Sequence, residues 1–220
     1  MADKNLNPMN QKVYDVSNNP SDRNYNQQAI AKEESQSLSP YTAMLENISE
    51  RYGLSTDELE DVMSRVAFHE TGPKQRMEPS AIQEVYEGRQ RVPGKGRGLF
   101  MFEGGSEEGA ATAMKRLQQH YKDTGQDIPA WATFYAREGV DASQLTPEQQ
   151  KMMFMANVRY HPAASLAGVT PENVGEKYWA PFHWAGQVEE KAARLRAFEE
   201  SMAAYDLLNK KTVEEEAFGY

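Results

Sequence analysis

Phe68-His69-Glu70-Thr71-Gly72 ends an apolar helical run on a carboxylic acid, and Gly94-Lys95-Gly96-Arg97-Gly98-Leu99-Phe100-Met101-Phe102 follows as a glycine-rich turn entering apolar residues. These residue types suit cleavage of a glycosidic bond. Such a bond breaks when a protonated carboxyl group gives its proton to the leaving oxygen, normally with a second carboxylate as nucleophile or base. A carboxylate at a helix C-terminus faces the negative end of the helix dipole, which disfavours the ionised form, and apolar neighbours act in the same direction. The sequence offers Phe68, Leu99 and Phe100 as those neighbours, so Glu70 is the candidate acid; the competing explanation is an ordinary surface glutamate. For a second carboxylate Glu103 comes first, then Glu78 and Glu87, with no spacing rule to select among them. The glycines would let backbone approach a chain of sugars.

Helices must deliver these groups. Ser39-Pro40 reads as an N-cap with proline at the first helical position, and Tyr41, Met44, Leu45, Ile48 and Tyr52 follow at helical spacing up to Gly53. Ser55-Thr56-Asp57-Glu58 is a capping box opening a second helix, with Leu59, Val62, Met63, Val66 and Ala67 on one face and Gly72-Pro73 as its end. A short helix is expected over Pro79 to Glu87 with Ile82, Val85 and Tyr86 inward, then irregular or extended chain from Gly88 to Gly105. Further helices are expected through Ala110–Tyr121, after Ile128-Pro129, after the capping box Thr146-Pro147-Glu148-Gln149, and from Thr170-Pro171 to Tyr178 and Trp179. A long helix should run from Phe182 to Leu208. The fold class is mainly α with at most a small β element. Residues 1–38, rich in Asn, Gln, Ser and Asp, read as a flexible extension, 39–209 as the helical domain and 210–220 as a polar tail.

Composition narrows the function. A net charge of −9 over 220 residues argues against nucleic acid as the main partner, although Arg89, Arg91, Lys95 and Arg97 form a local basic group. The absence of cysteine removes disulfides and thiolate chemistry. No apolar stretch approaches the roughly 18 residues of a membrane span, and the N-terminus lacks the apolar core of a signal peptide. His69, Glu70, His161 and His183 are the candidates for a metal site. However, adjacent helical residues point about 100° apart, and Pro73 stands where the zinc-protease pattern needs histidine. No phosphate loop or nucleophile elbow is present, so neither a metal nor a cofactor is expected.

The chain resembles the lysozyme-like lytic transglycosylase and goose-type lysozyme superfamily, whose order is a helix-terminal Glu-Ser, a Gly-Leu-Met-Gln turn and a later Tyr-Asn-Ala-Gly. The matching stretches are Glu70-Thr71, Gly98-Leu99-Phe100-Met101 and His183-Trp184-Ala185-Gly186, within about residues 40–190. Threonine replaces serine, Met101 replaces the glutamine amide, and His183-Trp184 replaces Tyr-Asn. The interval after Gly98 is longer than usual for the family, which marks residues 122–150 as an insertion. The resemblance implies a lysozyme-like helical domain in which Glu70 cleaves the bond between N-acetylmuramic acid and N-acetylglucosamine. Thr71, Gly98, Leu99, Phe100, Glu103, Tyr178, His183 and Trp184 would line the substrate cleft, although core packing is the commoner role for Tyr178, Trp179 and Trp184. The basic group would meet lactyl or peptide carboxylates of the wall, the equal alternative being a solvated loop.

With a polar leader and no export signal, the chain also looks like a phage virion component. It would be made in the host cytoplasm, docked to other virion proteins through residues 1–38, and carried by the particle to the periplasm or cell wall. The alternative is a non-catalytic structural or ejection (adaptor) protein that keeps the fold.

Overall fold

The computed structural model describes residues 39–87, 89–103, 109–138, 140–161, 164–183 and 188–218, all within the unit Leu38–Tyr220. The extension read over 1–38 lies outside the described residues. The architecture is mainly helical with one small antiparallel sheet.

Helix α1, Pro40–Tyr52, starts on Pro40 and stops at Gly53, whose φ of 69° lets its N–H turn back to the Glu50 carbonyl. The capping box forms as the sequence predicts. Ser55 accepts from the Glu58 N–H at 3.1 Å, the Glu58 carboxylate accepts from the Ser55 N–H at 2.7 Å, and α2 follows, Thr56–Gln75. Its apolar face, Leu59, Val62, Met63, Val66 and Ala67, is buried, each large side chain contributing roughly 1.5–3 kcal/mol. Regular helix ends at Gly72 (φ 70°, ψ 169°), and Pro73 opens one further turn that closes on Arg76.

Strands β1, Ile82–Glu87, β2, Gln90–Arg97, and β3, Phe102–Glu103, form the sheet in that order. The expected helix over Pro79–Glu87 is therefore a strand. Ile82, Val85 and Tyr86 satisfy helical spacing, but the segment has a glycine-rich partner to pair with. Gln83 and Val85 are half-buried while Ile82 and Glu84 are exposed, an alternation of period two. The side chain of Gln75 holds the start of β1, its amide exchanging two hydrogen bonds of 2.9 Å with the Ile82 backbone.

Helices α3, Ala110–Asp123, α4, Ala130–Glu138, and α5, Pro147–Tyr160, complete the core, with α5 packed on α1 and α3, and α4 on α3. A second capping box, Thr146 with Gln149, opens α5. The stretch expected to be an insertion is integral, since Trp131, Ala132, Ala142 and Leu145 are buried. Met63, Met114, Met153 and Met155 fill the interior, as flexible side chains do between irregular surfaces.

Thr170-Pro171 leads into a turn and then a π-helical turn, Gly175–Trp179, continued by α6, Ala180–His183. The long helix expected from Phe182 is α7, Val188–Phe218, and it continues past residue 210, where a polar tail was expected. Lysine, glutamate and alanine are good helix formers, so polarity there does not stop the helix. α7 packs on α2 through Phe68 against Tyr205 at 5.5 Å and through an ionic cluster. In that cluster Arg65 meets Asp61 at 3.1 Å and Asp206 at 3.0 Å, and the Tyr205 hydroxyl donates to Asp61 at 3.1 Å.

Candidate active site

Glu70 is half-buried at the last regular turn of α2, two residues before the break at Gly72. Its Oε1 accepts the indole N–H of Trp179 at 2.6 Å. A hydrogen bond contributes about 1 kcal/mol net, so this contact ties α2 to the π-helical turn. Trp179 is itself fixed by the His69 ring at 4.4 Å, edge on, and by Phe198 of α7 at 5.4 Å. Ser201 donates its hydroxyl proton to the Ala197 carbonyl at 2.9 Å, and His69 Nδ1 lies 3.0 Å from the same oxygen. Because a hydroxyl has one proton to give, Nδ1 of His69 is the donor in that contact.

The glycine-rich turn is built differently from the cleft wall expected of it. Gly98 has φ 76°, and a Cβ there would lie 2.2 Å from Oε1 of Gln150. That oxygen accepts the Leu99 N–H at 2.6 Å, while Nε2 of Gln150 donates to the carbonyls of Pro79 at 2.9 Å and Leu145 at 3.0 Å. Gln150 is wholly buried, so its amide staples the turn, the start of the sheet and the entry to α5 together. Gly94 and Gly96 likewise bring β2 against its own chain. Added Cβ atoms would meet Gln83 Oε1 at 2.6 Å and the Met101 Cβ at 2.9 Å. The glycines serve close packing within the chain.

Leu99 and Phe100 are 4% and 5% exposed, which makes them core residues and not a cleft wall, and Met101 and Phe102 are buried beside them. Phe100 stacks on Phe154 at 4.6 Å, Phe154 meets Tyr178 at 5.4 Å, and Tyr178 stacks on Phe182 at 5.5 Å. An aromatic series thus runs from the turn to the residue beside Trp179. Tyr178 is buried, so its ring face is occupied by protein. Burial, then the Glu70 carboxylate and Tyr52, push its phenol well above the usual range.

Thr71 is buried with its hydroxyl committed, donating to the Ala67 carbonyl at 2.8 Å and accepting from the Met77 N–H at 3.0 Å. Glu103 is exposed on β3, opposite Gly96, and Glu78 and Glu87 are also exposed. Trp184 lies outside the described residues, as do Ala185, Gly186 and the side chain of His183. Of the expected set, the structure brings Glu70 next to Tyr178, and Phe154 links Tyr178 to Phe100 of the 98–102 turn.

Sequence reasoning missed two organising residues. Trp179 was assigned to a packing cluster and not to Glu70. Gln150 shares a helix face with the buried Met153 and Phe154, and a polar side chain on that apolar face was the available signal. A cavity of about 430 Å³ opens against the hairpin, lined in part by Gln75, Ser80, Ile82, Glu84, Arg91 and Pro93. Among the described residues no three His, Asp or Glu side chains converge to hold a metal ion, and no helix is long and apolar enough to cross a membrane. No protein-family model, curated protein or solved structure matches the chain.

Proposed function

We propose that the chain is a phage virion-associated enzyme that cleaves peptidoglycan between N-acetylmuramic acid and N-acetylglucosamine, with Glu70 as its acid. The supporting observation is the Glu70 carboxylate itself. It stands half-buried at the broken end of α2, oriented by the Trp179 indole at 2.6 Å and adjoining the buried ring of Tyr178. In the transglycosylase form of the reaction, protonated Glu70 gives its proton to the glycosidic oxygen as the C1–O bond breaks, assisted by the acetamido group of the sugar. The resulting carboxylate then takes the proton of the sugar's C6 hydroxyl as that oxygen closes a 1,6-anhydro ring on C1. Carriage in the particle would bring the enzyme to the host wall.

A second reading has its own observation. Leu99, Phe100 and Tyr178 are interior, and the Thr71 hydroxyl is engaged by the chain, which suits a structural or ejection adaptor that keeps a helical fold without sugar contacts. A digest of purified peptidoglycan, read by product mass, separates the two. Anhydro products made by wild type and lost in Glu70→Gln support the transglycosylase, new reducing ends indicate hydrolysis, and an intact wall with folded wild-type protein refutes the enzyme in favour of the adaptor.

A further inference from the structure

β1 is an edge of its sheet. The strand order is β1-β2-β3, so β1 is paired on one side, and among the described residues no strand covers the other. Two observations fix which of its backbone groups face outward. The N–H and C=O of Ile82 are held by the Gln75 side chain, at 2.9 Å each. Glu84 stands opposite Pro93, which has no N–H, so these two cannot be a pair that exchanges both hydrogen bonds. Alternation along the strand then sets Ile82, Glu84 and Tyr86 on the outer edge and turns Gln83, Val85 and Glu87 to β2.

Gln75 occupies the first outward position as a residue of an added strand would, its amide giving one hydrogen bond and accepting another. Glu84 and Tyr86 hold the remaining outward positions. An unpaired edge is a template for another strand, and the sequence of β1 fits a second β1 in one antiparallel register. With Glu84 opposite Tyr86 on both sides of a two-fold axis, hydrogen bonds form at both remaining positions. Val85 then faces Val85 on the axis and Gln83 faces Glu87, so no like charges stand opposite each other. A slide by two residues in one direction sets Glu84 against Glu84 and needs Ile82, which Gln75 already holds. A slide in the other direction leaves a single hydrogen-bonded pair within the strands.

We propose that the outer edge of β1 docks a second copy of this chain, joining two sheets across a two-fold axis at Val85. The isologous pairing is closed, because each edge is consumed by its partner. The contact is shorter than a standard interface, so the dimer is reversible and forms with rising concentration. It stands independently of the Glu70 reading.

The chain contains no cysteine, so an introduced one reports a single contact. Residues opposite each other without hydrogen bonds have Cα atoms about 4.5 Å apart, within the span of a disulfide. Full-length Val85→Cys, oxidised at increasing protein concentration, should therefore form a covalent dimer. Glu84→Cys, which faces Tyr86 across the axis, should form little. Adding Glu84→Pro to Val85→Cys removes an outward N–H, keeps the bonds to β2, and gives up only an exposed ion pair with Arg91. It should cut cross-linking about tenfold. Sedimentation velocity of the unsubstituted chain should move toward a dimer as concentration rises, a readout that needs no variant to fold. A monomer throughout the millimolar range overturns the proposal. So does cross-linking at Glu84→Cys in place of Val85→Cys, or cross-linking that the proline leaves unchanged.

Discussion

Gly98 and Gly53 share a left-handed backbone, with φ 76° and 69°, yet a Cβ at Gly53 meets nothing within 4 Å while one at Gly98 lies 2.2 Å from Gln150 Oε1. The pair isolates the staple. Replacing Gly53 with alanine costs only the backbone term, about 1 kcal/mol. Replacing Gly98 with alanine adds displacement of a buried amide that makes three hydrogen bonds, each worth about 1 kcal/mol net and more where a buried partner is stranded. Gly98→Ala should therefore cost about 3–5 kcal/mol, some 2–4 kcal/mol beyond Gly53→Ala. Urea unfolding of wild type and both variants, followed by far-ultraviolet circular dichroism, measures the difference. For a chain of this size it corresponds to a Tm gap of about 5–15 °C. Equal losses in the two variants would refute the staple, because backbone strain alone would then account for Gly98.

His120 is 2% exposed with no partner at Nδ1, and burial, then Arg159, hold it down to about 4 against an opposing pull from Asp123. The unfolded chain takes up this proton first as pH falls. Stability is therefore lost between about 6.5 and 4, roughly 2 kcal/mol by pH 4.5, and a His120→Gln variant whose unfolding free energy keeps the wild-type slope over that range contradicts the assignment. Trp179→Phe removes the indole donor and should cost about 1–2 kcal/mol; in a double-mutant cycle with Glu70→Ala, which removes the acceptor, the two losses should be less than additive, and strict additivity denies the contact. Phe198→Ala opens a cavity against Gly175, His69 and Trp179, with an expected loss of about 3–4 kcal/mol and faster amide exchange in α7; unchanged exchange would mean α7 is held elsewhere.

Local signals in the sequence were reliable wherever the chain satisfies itself. Both capping boxes, the left-handed glycine after α1 and the Gly-Pro break after Glu70 involve partners within a few residues, so spacing alone specifies them. The strand at Ile82–Glu87 was not legible because its partner, β2, is a glycine-rich segment whose pairing residues have no periodic apolar signature. Gln150 acts across 51 residues on Leu99 and 71 on Pro79, and no local pattern encodes such distances. Composition misled at the glycines. Glycine permits close approach, but the sequence does not say whether what approaches is a ligand or the protein's own side chain.

The residues that first suggested chemistry divide into separate duties once folded. Phe68 and His69 face α7 through Tyr205, Phe198 and Ser201. Thr71 closes its own turn, and Gly72 breaks the helix. Glu70 reaches the π-helical turn by a hydrogen bond, to an indole whose ring packs against His69 and Phe198. A core that needed only apolar contact there could place phenylalanine at 179 and an aliphatic residue at 70, avoiding desolvation of a carboxylate. Retaining both an acid and its donor at a helix break is the costlier arrangement. Orientation of the carboxyl group gives that cost a purpose, which is why the Glu70→Gln digest, ahead of any stability measurement, discriminates between enzyme and adaptor.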